Sequence, residues 1–108
     1  MKFDIEAVLK DMAEAVKNAT KDDVVDAKQY ASQILENEKD ALAELSAARI
    51  TCQIDDATFE REVEREKKVV ETELLAIQIM TKALTQKAVN AAIDVFVKAV
   101  KAAIVSVV

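Results

Sequence analysis

Hydrophobic residues recur along most of the chain at steps of three and four, which is the spacing of one face of an α-helix. Asp4 stands before the first such face as a good N-cap, and Phe3 and Val8 occupy the positions of a hydrophobic staple. The pattern therefore predicts a first helix over about residues 4–18. Its apolar positions are Ile5, Val8, Leu9, Met12, Ala15, Val16 and Ala19.

Polar residues interrupt this pattern for the first time around Thr20. Thr20 and Asp23 resemble a capping box, which favours a break in the helix. The apolar residues Val16 and Val24 keep the same helical phase across the gap, so a continuous helix is the alternative. Beyond the break, steps of three and four predict a second helix over about residues 21–52.

The clearest boundary between two predicted helices lies at the middle of the chain. Asp55 is a good N-cap there, and Ile54 and Phe59 fall at the two positions of a hydrophobic staple. The following helix meets no breaker, and its periodic pattern predicts that it runs over about residues 56–105. The second and third helices would then form a long antiparallel hairpin, in which a helix of about 50 residues is about 75 Å long.

The composition agrees with an all-α fold, because the chain contains no Gly, no Pro and no His. Tight turns and phosphate-binding loops depend on glycine, so hairpin-rich β folds, Rossmann folds and P-loops are excluded. Without histidine, imidazole general-base catalysis and most zinc sites are excluded as well. The 108 residues form one domain's worth of chain, and we treat residues 1–108 as a single helical-bundle domain.

The formal net charge is −5, but it is divided unevenly. Residues 1–73 hold 19 acidic and 11 basic side chains (−8), whereas residues 74–108 hold one acid and four bases (+3). This acidic balance argues against nucleic-acid binding, which needs a basic surface. The single Cys52 cannot form an intramolecular disulfide, and the N-terminal segment does not resemble a signal peptide, so we expect a cytoplasmic protein.

Three glutamates, Glu38, Glu66 and Glu73, fall on or near the predicted seams. In the register of the hairpin, Glu38 lies close to Val70, between the other two. Bundles that hold di-iron centres combine glutamates with histidines, and this chain has no histidine. We therefore expect no cofactor, and we expect that nearby cations or solvent neutralise these carboxylates; an oxygen-only Mg²⁺ or Ca²⁺ site is the alternative. The neighbouring cations are Lys39, Arg65 and Lys67.

Other side chains with reactive groups are isolated. Cys52 has no histidine to activate it, and Arg49 is the nearest cation by helical spacing. Tyr30 and the scattered Ser and Thr residues have no base beside them. We therefore expect no enzymatic activity.

The C-terminal segment is apolar over most of its circumference, so we expect other helices to bury it. Its polar residues form one narrow strip, and one neighbouring helix would hide only one seam, so we expect self-association, most simply as a homodimer that completes a four-helix layer. This predicts a non-catalytic helical interaction or assembly protein. Contact with another helical protein is an alternative, and so is a helix on the membrane surface, which the acid and the sparse lysines of the strip disfavour. The predicted interface residues are Ile93, Phe96, Val97, Val100 and Ile104; the strip is Lys87, Asn90, Asp94, Lys98 and Lys101.

Overall fold

The computed structural model describes residues 3–21 and 24–107, with side chains up to residue 104. The chain is 84% helical, and no strand occurs in the described ranges. The all-α prediction is therefore confirmed. The described helices are α1 (Ile5–Thr20), α2 (Ala27–Asn37), α3 (Lys39–Ile50), α4 (Asp56–Ile77) and α5 (Lys82–Val107).

The first helix begins and ends close to its predicted bounds. Asp4 caps it, because one carboxylate oxygen accepts hydrogen bonds from the N–H groups of the helix's second and third residues, at 3.1 and 3.3 Å. The helix ends at Lys21, which adopts the left-handed conformation, so the predicted break is confirmed. The proposed capping partner Asp23 lies outside the described residues, and the Thr20 hydroxyl donates to the Lys17 carbonyl instead.

The predicted second helix over residues 21–52 is wrong in its length and continuity. The structure begins this helical segment at Ala27 and divides it at Glu38 into α2 and α3. Hydrogen bonds of helical type reach Glu38 from both sides: its N–H donates to the Ile34 carbonyl, and its carbonyl accepts from the Leu42 N–H. The junction is therefore a kink in a helical rod, not a loop.

The predicted third helix over residues 56–105 is also wrong, because it is divided into α4 and α5. Gln78 ends α4 in the left-handed conformation (φ 61°), and Thr81 starts α5 by accepting a hydrogen bond from the Leu84 N–H on its hydroxyl oxygen (3.1 Å). No glycine, proline or asparagine marks this break in the sequence. The break folds α5 back on α4, so the molecule measures 41 × 23 × 19 Å and the rod of about 75 Å does not form.

The C-terminal helix α5 lies at the centre of the packing and contacts α1, α3 and α4. Phe96 is fully buried, and its ring stacks on that of Phe59 from α4 with centroids 6.2 Å apart. Leu74 of α4 and Met12 of α1 are among the other large buried side chains. The core therefore forms around α5, as its apolar circumference requires.

This burial changes the basis of the predicted interface. Ile93, Phe96 and Val100 are covered within a single chain, so the premise that one chain cannot cover α5 is wrong. Helix α1 packs along α5 and supplies much of the cover that we expected from a second copy. Of the five predicted interface residues, Val97 and Ile104 remain half-buried and accessible in part.

The left-handed conformation of Gln78 leads to a prediction about the stability of the fold. A side chain with a Cβ atom costs about 1–2 kcal/mol there, and glycine relieves that cost while adding some entropy to the unfolded chain. We expect Gln78→Gly to raise the free energy of unfolding by about 0.5–1 kcal/mol in urea titrations. Gln78→Ala, the matched control, keeps the Cβ atom and should leave stability nearly unchanged. A loss of about 1 kcal/mol in Gln78→Gly would instead indicate a continuous helix through this position.

Candidate functional site

Glu38 lies at the junction between α2 and α3, within electrostatic range of two other carboxyl groups. Burial raises the pKa of Glu38, and the charges of Glu66 and Glu73 raise it further. The Glu73 carboxyl group also raises the pKa of Glu38 as a hydrogen-bonding neighbour, which is the smallest of these effects. The register predicted from sequence also placed Glu38 near these two glutamates, whereas the long hairpin on which that register was based does not form.

Two oxygen atoms of this carboxylate cluster have no partner. Oε2 of Glu66 and Oε2 of Glu73 are buried and accept no hydrogen bond. A buried, unpaired carboxylate oxygen is unfavourable unless the group takes up a proton. The cations that we expected to neutralise the cluster bind other acids: Lys39 pairs with Glu6 and Glu36, Arg65 with Glu62, and Lys67 with Glu64.

Glu66, on α4, is subject to opposing effects on its pKa. Burial raises its pKa, the charge of Arg65 lowers it, and the charges of Glu62 and Glu73 raise it. Burial is the largest of these effects, so Glu66, like Glu38, holds a proton more tightly than an exposed glutamate does. Glu38, Glu66 and Glu73 are called the carboxylate cluster below.

The metal-binding alternative gains no support from these contacts. Among residues 3–21 and 24–107, no group of three or more His, Cys, Asp or Glu side chains is arranged so that it could hold a metal ion. Glu38, Glu66 and Glu73 therefore do not form such a group in the part of the chain that the structure describes.

The buried hydroxyl groups serve the helices that carry them. Those of Thr20, Ser46 and Thr85 donate to backbone carbonyls one turn earlier, at 3.0, 2.8 and 2.8 Å. Such back-bonding satisfies a buried hydroxyl without any partner from another helix. These hydrogen bonds therefore belong to the helices themselves.

The turn between α3 and α4 carries Cys52, which is exposed and has a positive φ of 63°. The nearby Arg49 donates from Nε and Nη2 to one carboxylate oxygen of Asp56, at 3.2 and 3.1 Å. Arg49 therefore ties the end of α3 to the start of α4.

A groove runs between α4 and α5 and is the place where the C-terminal helix remains accessible. It has a volume of about 250 Å³. We call it the α4–α5 groove; its apolar lining is Phe59, Val63 and Val97, and its charged rim is Asp56, Glu60, Glu64 and Lys101.

Sequence reasoning found only one wall of this groove, namely Val97 on α5. The α4 wall was missed because the predicted straight helix placed α4 and α5 end to end. One signal was present: Asp56, Glu60 and Glu64 recur every four residues and so mark one face of α4 beside its apolar seam.

Compared with protein-family models, with curated proteins and with solved structures, the chain matches none of them. Within the described residues, no helix combines the length and the apolar character that crossing a membrane requires. The functional interpretation is therefore based on the contacts within this chain.

The raised pKa of Glu38 leads to a prediction about how the stability of the fold depends on pH. Folding raises the pKa of Glu38 above its ordinary value of 4.5. The protonated group therefore stabilises the fold fully below the pKa of the unfolded chain, and this stabilisation is lost as the pH rises through the pKa of the folded chain. Glu38→Gln imitates the protonated group, so we expect it to raise the free energy of unfolding at pH 7 by roughly 1 kcal/mol. Below the unfolded pKa the variant and the natural chain should be equally stable.

Urea unfolding at both pH values tests this expectation. Glu44→Gln is the matched control, since Glu44 is exposed on α3 and should show almost no change at either pH. Destabilisation of Glu38→Gln at neutral pH would contradict the assignment of a proton to this cluster.

Proposed function

We propose that the protein is a non-catalytic helical assembly protein that self-associates along the α4–α5 groove. The groove itself is the observation that supports the proposal, because it leaves Val97 half-buried above an apolar floor of Phe59 and Val63. An apolar centre with a polar rim is the usual anatomy of a protein interface. Ile104, two turns further along α5, is half-buried as well and extends the apolar strip.

The charges at the rim favour a second copy of the chain as the occupant. Three acids (Asp56, Glu60 and Glu64) lie on the α4 side, and Lys101 lies on the α5 side. A two-fold axis through the groove places the α5 side of each copy against the α4 side of the other. Lys101 of one copy then faces acids of its partner, so the rim is complementary to itself.

The size of the molecule is compatible with such a dimer. A standard interface covers about 800 Å² on each partner. The chain exposes 6456 Å² in total and measures 41 Å along its longest axis, so one side of the molecule can supply that area.

The proposal keeps part of the interface expected from sequence. Val97 and Ile104 remain in it, whereas Ile93, Phe96 and Val100 belong to the core of each copy. A cytoplasmic location belongs to the same proposal, since the exposed Cys52 is the single cysteine of the chain. Docking of a different helical protein or of a lipid surface in this groove is an outcome that the tests below distinguish.

A charge placed in the groove should separate the copies. We expect Val97→Glu to weaken dimerisation at least about tenfold, because the new carboxylate would be desolvated beside the acids of the rim. Val25→Glu is the matched control, because Val25 is 81% exposed in the connection before α2. This variant should dimerise as strongly as the natural chain does. Sedimentation equilibrium, with circular dichroism to verify folding, measures the change.

A charge exchange tests the two-fold arrangement with exposed residues alone. We expect Lys101→Glu to weaken the dimer and the double variant Glu60→Lys/Lys101→Glu to restore it, because the rim regains opposite charges. A natural chain that sediments as an 11.9 kDa monomer would overturn the proposal. A monomer that binds anionic vesicles would favour the membrane alternative instead.

A further inference from the structure

The α4–α5 groove is too small to be the whole interface between two copies of the chain. It is lined by seven residues, and on α4 it extends only from Asp56 to Glu64, whereas α4 has 22 residues and ends at Ile77. A standard interface takes about 20–30 residues from each partner. A second copy seated on this groove must therefore also contact the surface that continues it.

A second groove continues the first along the seam between α4 and α5. It has a volume of about 170 Å³ and shares Glu64 with the α4–α5 groove. Glu60, Glu64 and Lys68 are spaced four residues apart on α4, so they lie on one helical face. Asn90 and Val97 are seven residues apart on α5, which also places them on one face. The two grooves therefore belong to one side of the molecule.

The polar groups of this second groove are available to a partner. Its walls are Lys67, Lys68 and Glu71 on α4, and Gln86 and Asn90 on α5. Lys68, Gln86 and Asn90 are exposed. In the part of the chain that the structure describes, Lys68 pairs with no acid. The side chains of Gln86 and Asn90 form no hydrogen bond with other described residues.

The two walls of the second groove are complementary to each other. An amide both donates and accepts hydrogen bonds, so Gln86 and Asn90 can bind an ammonium group as well as a carboxylate. A two-fold axis along the seam places the α4 wall of each copy against the α5 wall of the other. Lys68 and Glu71 then meet the amides of the partner, and no like charges meet in this groove.

The charges of the first groove favour the same direction of the axis. With the axis along the seam, Lys101 of one copy faces the acids on α4 of the other, in particular Glu60 and Glu64. An axis across the seam would place α5 on α5, and Lys101 would turn away from these acids. One direction of the axis therefore suits both grooves.

We propose that self-association uses both grooves, with the two-fold axis along the seam, so that Lys68 of each copy contacts Asn90 of the other. This inference rests on the proposed self-association and adds to it the second groove and the direction of the axis. In the dimer, each α5 lies antiparallel to α4 of the partner, as it does to α4 of its own chain. The α4 and α5 helices of the two copies then complete a four-helix layer.

Disulfide cross-linking between two variants of the full chain tests this contact. Both variants carry Cys52→Ser, which removes the natural thiol, and one adds Lys68→Cys while the other adds Asn90→Cys. All three positions are exposed, so the core is unchanged, and circular dichroism verifies folding. The variants are mixed under a mild oxidant and analysed on a non-reducing gel.

The mixture should form the covalent dimer much faster than either variant alone, because only the mixture brings positions 68 and 90 of different copies together. We expect a difference of at least about tenfold, since a disulfide requires Cα atoms within about 7 Å of each other. Ser32→Cys is the matched control in place of Asn90→Cys. Ser32 is exposed on α2, one turn after Lys28, which pairs with Glu14 of α1. It should cross-link only at the rate of random collision.

A charge in the second groove tests the same contact by affinity. We expect Asn90→Lys to weaken dimerisation about two- to fivefold in sedimentation equilibrium, because the new ammonium group faces Lys68 of the partner at an exposed position. Adding Lys68→Glu to the same chain should restore the dimer. Ser32→Lys is the matched control and should dimerise as the natural chain does.

The outcomes separate this inference from the proposal on which it rests. A natural chain that dimerises, with no cross-link specific to the mixture, would overturn the second groove and leave the self-association standing. Cross-linking of Glu60→Cys with Lys68→Cys in place of the expected pair would place the axis across the seam and overturn the inference as well. A monomeric natural chain would overturn both.

Discussion

The need to cover α5 determines most of this structure. A helix that is apolar over most of its circumference must be surrounded, and in this chain α1, α3 and α4 do so. The fold meets that need by ending α4 at Gln78 and turning α5 back, although a residue with a Cβ atom is costly in the left-handed conformation. Burial of Phe96 and Val100 outweighs that cost, since each large side chain contributes roughly 1.5–3 kcal/mol.

The parts of the fold that were predictable from sequence are those with a local chemical cause. Asp4 and Asp55 cap α1 and α4 because a carboxylate beside free backbone N–H groups is stabilising wherever the chain places it. The breaks at Glu38 and Gln78 have no such local cause. The chain has neither glycine nor proline there, and the apolar period passes through both breaks without interruption.

The same distinction explains what was predictable of the candidate sites. The turn between α3 and α4 fixes the register of the residues around it, and the charges of Glu66 and Glu73 act on Glu38, as that register predicts. The influence of that turn ends where α4 ends. The α4–α5 groove depends on the second reversal at residues 78–81, which sequence did not reveal, and so only Val97 was anticipated among its apolar lining.

Helix α4 carries acids on two separate faces. Glu66 and Glu73 lie within electrostatic range of Glu38 at the junction of α2 and α3, whereas Glu60 and Glu64 line the groove. Burial raises the pKa of Glu66, so a negative charge is less favourable on that face than in water. The acids that line the groove are exposed, and solvent screens the repulsion between them. Burial therefore decides which acids of this helix can face a partner, because only the exposed ones carry charge at little cost.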